Sequence, residues 1–450
     1  MSDKMPDKMS GNSPSGNRRL SGQRLYIAIA AWLILIIVGA FCTWYGFRPS
    51  SSDDDGQQAA DATSTGAVAA PTAEPVDVQP TPTASAALPT VPAEEEIFGY
   101  GIAIHGTGGS TDLVDYTVGQ VESLGLGWLK QQMRWEDVER QPGQLEWGMY
   151  DLIVDSANQR GIKVMLSVVD APDWTHTSYV DENPEGAPPD NLADYVNFLG
   201  TVVDRYRGRI HAIEVWNEQN LDREWDTAEG VKAERYVEML KLSYQAIKSR
   251  DPNIIVISGA LSPVGATAAD PNNANRVIYM DDFAYFEQLV AAGLLDHCDC
   301  VGAHHNGINM PPNVAWDEGY DDPTAQFRGP FDNPDHSWSF KSTLWGYHNS
   351  IAAAGRNNPL CVTEFGWPTA EGFDGYPPSM EYALDNTLGE QAEWDVEAFR
   401  LMREWGFVRM AFLWNLNFSQ LGWGPEDPNA PWAIIDFQGI ARPAFSTIGA

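Results

Sequence analysis

Past residue 97 the chain alternates between short apolar runs of strand length and longer stretches in which apolar residues return every three or four positions. The short runs are "FGYGIAIHG" (98–106), "WLKQQMRW" (128–135), "KVMLSVVDAP" (163–172), "IHAIEVWNE" (210–218), "IIVISGALSP" (254–263), "CDCVGAHHNG" (298–307), "LCVTEFGWPT" (360–369) and "VRMAFLWNLNF" (408–418). Each predicts a strand, which makes eight. Between them lie amphipathic stretches of helical period, such as "LADYVNFLGTVVDRYR" (192–207) and "AERYVEMLKLSYQAIKSR" (233–250). Eight β-α units in series predict an α/β fold, a (β/α)8 TIM barrel, over residues 97–450. The connections agree. Links from helix to strand are short, as in "RGI" (160–162) and "RDPN" (250–253), whereas 173–190, 264–282, 308–338 and 368–389, which follow strands, are long. Long loops at the C-terminal ends of the strands are how barrels build sites.

Before residue 97 the pattern changes twice. "LYIAIAAWLILIIVGAFCTWYGF" (25–47) carries no charge, and as a helix it spans roughly 34 Å, enough for a bilayer core of about 30 Å. Arg18, Arg19 and Arg24 precede it, Asp53, Asp54 and Asp55 follow it, and Trp44 and Tyr45 suit the interface. That asymmetry predicts a single-pass signal anchor with residues 1–24 in the cytoplasm and the barrel outside. A cleaved signal peptide is the competing reading; the length of the apolar run and the lack of a small-x-small pattern directly after it argue against cleavage. Residues 48–96 are Ala, Pro, Thr, Ser and Asp with almost no large apolar side chain. They cannot bury enough surface to offset chain entropy, so a disordered, Pro-stiffened linker is predicted.

Composition narrows the partners. Of 450 residues 43% are hydrophobic and 17 are Trp, which supplies a sizeable core. A formal net charge of −34 repels phosphate backbones, so nucleic acid is excluded as a partner. Cys298, Cys300 and Cys361 fall at the starts of adjacent predicted strands, where either a disulfide or buried thiols fit.

The chemistry sits at strand ends. "IEVWNEQN" (213–220) is an apolar run that stops on Asn217 and Glu218, and "LCVTEFGWPT" carries Glu364 in an otherwise apolar strand. A buried carboxylate is costly without a partner or a purpose. Two of them at one barrel mouth are the minimum equipment for glycoside hydrolysis, in which one protonates the leaving oxygen and the other attacks or activates water.

"VWNEQN" and "VTEFGWPT", on the fourth and seventh strands of an eightfold barrel, resemble the retaining glycoside hydrolases of clan A. The resemblance covers roughly residues 98–445. "WNEQNLDREW" is most similar to glycoside hydrolase family 39, the β-xylosidase and iduronidase group, although that motif usually has Pro where this chain has Gln219; "TEFGWPT" is closer to endoglucanase families. The resemblance implies an acid/base at Glu218, a nucleophile at Glu364 and an Asn217 that bonds the sugar 2-hydroxyl. It also implies an Arg at the end of the second strand, here Arg134, which holds the nucleophile ionised; a pair with Glu214 inside the barrel is the alternative for that side chain. His304 is expected as a sugar contact, with Asn306 where related enzymes place a Tyr, and Trp414 as the platform under the sugar ring. Trp174, Trp367 and Trp423 lie in the long loops and would either extend the cleft or pack within them. His304 and His305 lack a third ligand on their element, so no metal site is expected, and no cofactor. The substrate is expected to be an oligosaccharide or polysaccharide, cleaved with carboxyls about 5 Å apart, the retaining spacing. The alternative is a catalytically silent, cell-surface carbohydrate-binding barrel.

Overall fold

The computed structural model describes residues 98–106, 110–176 and 186–450, all within the compact unit Glu95–Ala450. The expected cytoplasmic tail, membrane segment 25–47 and linker 48–96 lie outside the described residues. Among the described residues no helix is long and apolar enough to cross a membrane.

Eight strands form in the eight predicted places: β1 Gly99–Ile104, β2 Trp128–Arg134, β3 Lys163–Val169, β4 Ala212–Val215, β5 Ile255–Ser258, β6 Val301–Asn306, β7 Leu360–Gly366 and β8 Val408–Leu413. Each is followed by one principal helix: α1 Thr111–Ser123, α2 Gly148–Gln159, α3 Leu192–Arg205, α4 Ala233–Arg250, α5 Asp282–Ala291, α6 Phe340–Ala353, α7 Leu388–Trp405 and α8 Pro443–Ile448. The strands pair in parallel in the order β5-β4-β3-β2-β1-β8-β7-β6. A parallel bridge between Ile257 and Cys300 brings the two edges together, with the Ser258 amide donating to the Cys300 carbonyl at 3.2 Å. At this seam a Cβ on Gly302 would lie 2.0 Å from the Ser258 carbonyl oxygen, so only glycine fits.

The helices wrap the barrel for the reason their period gives. In α3 the buried face is Tyr195, Phe198, Leu199, Val202 and Val203, spaced three and four apart. Asn191 starts it by accepting from the Ala193 amide at 3.3 Å. Inside the barrel, Trp128, Met165, Ala212, Ile257, Cys300, Cys361, Met410 and Phe412 pack into an apolar floor. Two of these settle the cysteine question: Cys300 and Cys361 form a disulfide with Cα atoms 5.7 Å apart, and Cys298 is a buried free thiol.

Two features depart from regular strand geometry at the C-terminal mouth. The stretch 264–282, expected as irregular loop, contains an antiparallel hairpin, Ala268–Asp270 against Asn273–Tyr279. Asp170, Trp216 and Glu218 have φ of 54°, 75° and 39°, the only non-glycine residues in the left-handed region among those described. They stand just past β3 and β4. Such backbone is unfavourable for an L-residue, and it gathers where a site dictates the geometry.

Candidate active site

The alternation of strand side chains sets the depth of each functional group. Along β4, Ala212 belongs to the floor and Glu214 stands above it, fully buried. The left-handed turn at Trp216 then breaks the alternation. Its indole packs outside the barrel wall, 5.5 Å from Tyr195 and 5.7 Å from Trp225, and Asn217 and Glu218 follow at the mouth. In β7 the alternation is broken by register. Ala303 pairs with Val362 but His304 with Glu364, and Ala411 pairs with Val362 but Leu413 with Phe365. One extra residue in β7 therefore lets both Thr363 and Glu364 face inward, as a β-bulge does. The Thr363 hydroxyl donates to Glu214 Oε1 at 2.6 Å.

At the centre is His304, with no exposed surface. Its Nδ1 lies 3.2 Å from Glu218 Oε1, while Nε2 lies 3.8 Å from Glu364 Oε1 and 4.0 Å from Glu214 Oε1. Buried Lys130, from β2, places Nζ 2.9 Å from Glu364 Oε1 and 3.4 Å from Glu214 Oε2. Asn306 donates to Glu364 Oε2 at 3.3 Å. On the outer side, Arg223 Nη2 donates to Glu218 Oε2 at 2.7 Å.

Burial alone would discharge these groups, and the partners reverse it. For Lys130, burial lowers the pKa but Glu214 and Glu364 outweigh it, and the ammonium is favoured. For His304, burial again lowers the pKa, and the charge of Glu364 with the bond to Glu218 raises it above the ordinary value. For Glu218, burial raises the pKa, but the His304 bond and the Arg223 charge bring it down to about 2. With His304 protonated, three carboxylates face three cations. A buried ion costs several kcal/mol unless it is paired, so this balance lets the cluster exist.

The structure brings Glu218 and Glu364 together as expected. Asn217 adjoins Glu218, buried, with its side chain bonded to Glu224. Trp414 is half-buried just past β8, its ring 5.8 Å from Lys130 Nζ.

Arg134 requires correction. It is half-exposed and pairs with Glu136, with Asp170 at 3.3 Å and with Asp137 at 4.0 Å. The cation on Glu364 and on Glu214 is Lys130, four residues deeper on the same strand. His304 also differs from expectation: wholly enclosed by the carboxylates, it positions them and offers no surface to a sugar. Trp174 is half-buried, edge-on to Trp135 at 5.7 Å, and its indole N–H donates to the Glu139 carbonyl at 3.0 Å. Trp367 is buried with its N–H on the Met310 carbonyl at 2.7 Å, which is loop packing; Trp423 is exposed. Sequence reasoning missed Lys130, Arg223 and Glu224, and read Asn306 only as the residue in place of a Tyr, not as a donor to Glu364. The signal for Lys130 was a second cation, on the same strand face as Arg134, in "WLKQQMRW".

The site is thus a pair of glutamates, one just past β4 and one near the end of β7, set against one imidazole at the mouth of a (β/α)8 barrel. Residues 121–257 match the model of glycosyl hydrolase family 10. Among solved structures the barrel is similar to a family 39 glycoside hydrolase from the gut symbiont Bacteroides cellulosilyticus, at 17% identity and a TM-score of 0.53, covering 78% of this chain and 62% of that one. It is similar to an exo-β-1,4-mannosidase from an Opitutaceae bacterium, at 15% identity and a TM-score of 0.51, covering 78% and 58%. A third, a family 5 enzyme (GH5_18) from Streptomyces cattleya in complex with GlcNAc, gives 14% identity and a TM-score of 0.52, covering 78% and 79%. The chain thus spans less than two thirds of the first two. No curated protein matches it. The family match covers under a third of the chain, and the likeness to these solved structures is one of fold.

Proposed function

We propose that the protein is a retaining β-glycoside hydrolase that cleaves O-glycosidic bonds of oligo- or polysaccharides, with Glu364 as nucleophile and Glu218 as acid/base. The observation that carries this reading is that one buried imidazole contacts both carboxylates while their other partners differ in kind. Glu364 is held by Lys130, which is buried and fixed inside the barrel, so its carboxyl group is anchored in place for attack. Glu218 is held by Arg223, which is exposed and can withdraw, so it can take up a proton. Partners that differ in burial and mobility give the two carboxyl groups different roles.

In the first step Glu364 Oε attacks the anomeric carbon as the bond to the leaving oxygen breaks and Glu218 gives that oxygen its proton. In the second, Glu218 takes a proton from water, whose oxygen displaces Glu364 from the same carbon. Asn217 would bond the 2-hydroxyl, and Trp414 would present its face to the ring. Azide rescue tests the roles. Glu218→Ala should slow substrates with poor leaving groups by on the order of 10² to 10⁴, spare activated aryl glycosides, and give a β-glycosyl azide. Glu364→Ala should lose activity on all substrates, with any azide product in the α configuration. Swapped anomers would reverse the assignment, and binding of glycans without turnover in the wild type would favour the carbohydrate-binding alternative.

We also propose that the barrel works outside the cytoplasm, tethered through residues 25–47. The uncharged run supports this, as does the Cys300–Cys361 disulfide, a bond that persists in oxidising compartments.

A further inference from the structure

The residue that must act as an acid is held as an anion in this structure. Glu218 is bonded to His304 and Arg223, which keep its carboxyl well below the usual range, and a general acid must carry a proton when substrate is bound. The loop after β4 contains the group that resolves this. Glu224 follows Arg223 directly, and its Oε1 lies 3.9 Å from Arg223 Nε, while the same guanidinium reaches Glu218 through Nη2 at 2.7 Å. Glu224 is fixed in place: its carbonyl accepts from the Trp216 indole at 2.6 Å, its carboxyl is bonded by Asn217, and Trp225 beside it is fully buried.

Resting on Glu218 as the acid/base, we propose that Glu218 and Glu224 share one proton and one guanidinium, with Arg223 pairing whichever carboxyl is anionic. In the resting state Arg223 lies on Glu218 and Glu224 holds the proton. When a substrate occupies the mouth, Arg223 turns to Glu224. The Oε–H bond of Glu224 then breaks, an Oε–H bond forms on Glu218 through water, and the net charge of the pair does not change. Glu224 is thus a positioning residue that stores the acid's proton.

The surroundings fit this division. Glu224 faces Asp170 from the end of β3, Glu218, Arg223 and Asn217, and burial together with the two neighbouring carboxylates raises it to about 8, against the pull of Arg223 and Asn217. Asp170 is itself held by Arg134 at 3.3 Å. Glu218 faces His304 and Arg223. Two strongly interacting carboxyls titrate as a pair, in two macroscopic steps.

The test reads the carboxyls directly, by ¹³C NMR titration of labelled glutamates in the full chain, alongside kcat/KM against pH. In the wild type the Glu218 signal should respond in two steps, the upper near pH 8. Glu224→Gln should abolish the upper step and lower kcat/KM about tenfold or more on glycosides with poor leaving groups, while activated aryl glycosides change less than about twofold. Glu224→Asp should restore both. Arg223→Met should raise the lower Glu218 step by about one pH unit or more. An upper step that survives Glu224→Gln, or a Glu218 signal that ignores Arg223→Met, overturns the proposal. Absence of wild-type hydrolysis would overturn the proposed function instead, and the titration would still decide whether the carboxyls share a proton.

Discussion

At the scale of residues, the cluster is legible where a side chain contradicts its strand and illegible where depth matters. Glu218 and Glu364 announce themselves because a carboxylate in an apolar run needs a reason. Arg134 misleads because the strand period gives a face without a height: Lys130, Gln132 and Arg134 share one face, but Arg134 lies about 13 Å further along the strand than Lys130. Lys130→Met should therefore be the damaging change. It leaves Glu214 and Glu364 buried without their ammonium, which costs about 3–5 kcal/mol of stability, measurable by denaturant unfolding. Arg134→Met removes only half-exposed pairs and should cost less than about 1 kcal/mol. His304 gives a pH signature. Its pKa is raised on folding, so its stabilisation is fully present below the unfolded value of about 6.5 and is lost as pH rises through the folded value. The stability gap between wild type and His304→Gln should shrink from pH 6 to pH 9, and a gap that widens would contradict a charged imidazole.

At the scale of elements, the eight strands and the helices α3 and α4 follow from periodicity, because each buries one face against the barrel. What escaped the pattern is what breaks it. The bulge in β7 is a single residue inserted without any change of composition, yet it turns Glu364 inward. The hairpin in the loop after β5 was equally hidden, since Ala268–Asp270 and Asn273–Tyr279 pair with each other outside the barrel and are mostly not buried. The disulfide between Cys300 and Cys361 ties the start of β7 to the residue preceding β6 beside the β5–β6 seam. It closes a sequence separation of 61 residues, for which the chain-entropy model gives about 4 kcal/mol. Cys300→Ala with Cys361→Ala should lower the unfolding midpoint accordingly. Cys298→Ala leaves that constraint in place and should cost only the packing of one small thiol, so equal losses from the two changes would remove the disulfide's special role.

At the scale of the whole molecule, the question is what keeps the barrel near its substrate. A net charge of −34 disfavours holding the barrel itself by attraction to anionic lipid headgroups, which recruit Lys and Arg. Attachment through residues 25–47 would instead be apolar, and salt does not screen apolar insertion. The linker 48–96, if extended by its prolines at about 3.1 Å per residue, would let the barrel range up to roughly 150 Å from the membrane, a reach suited to a polymeric substrate. Full-length protein should fractionate with membranes and stay there through a high-salt wash, and detergent should release it. A chain beginning at Glu96 should be soluble and retain full activity, because among the described residues the first element of the barrel begins at Gly99. Recovery of the barrel from the medium with an N-terminus beyond Thr43 would show that the segment is a cleaved signal, and release by salt alone would show that the apolar run does not hold it.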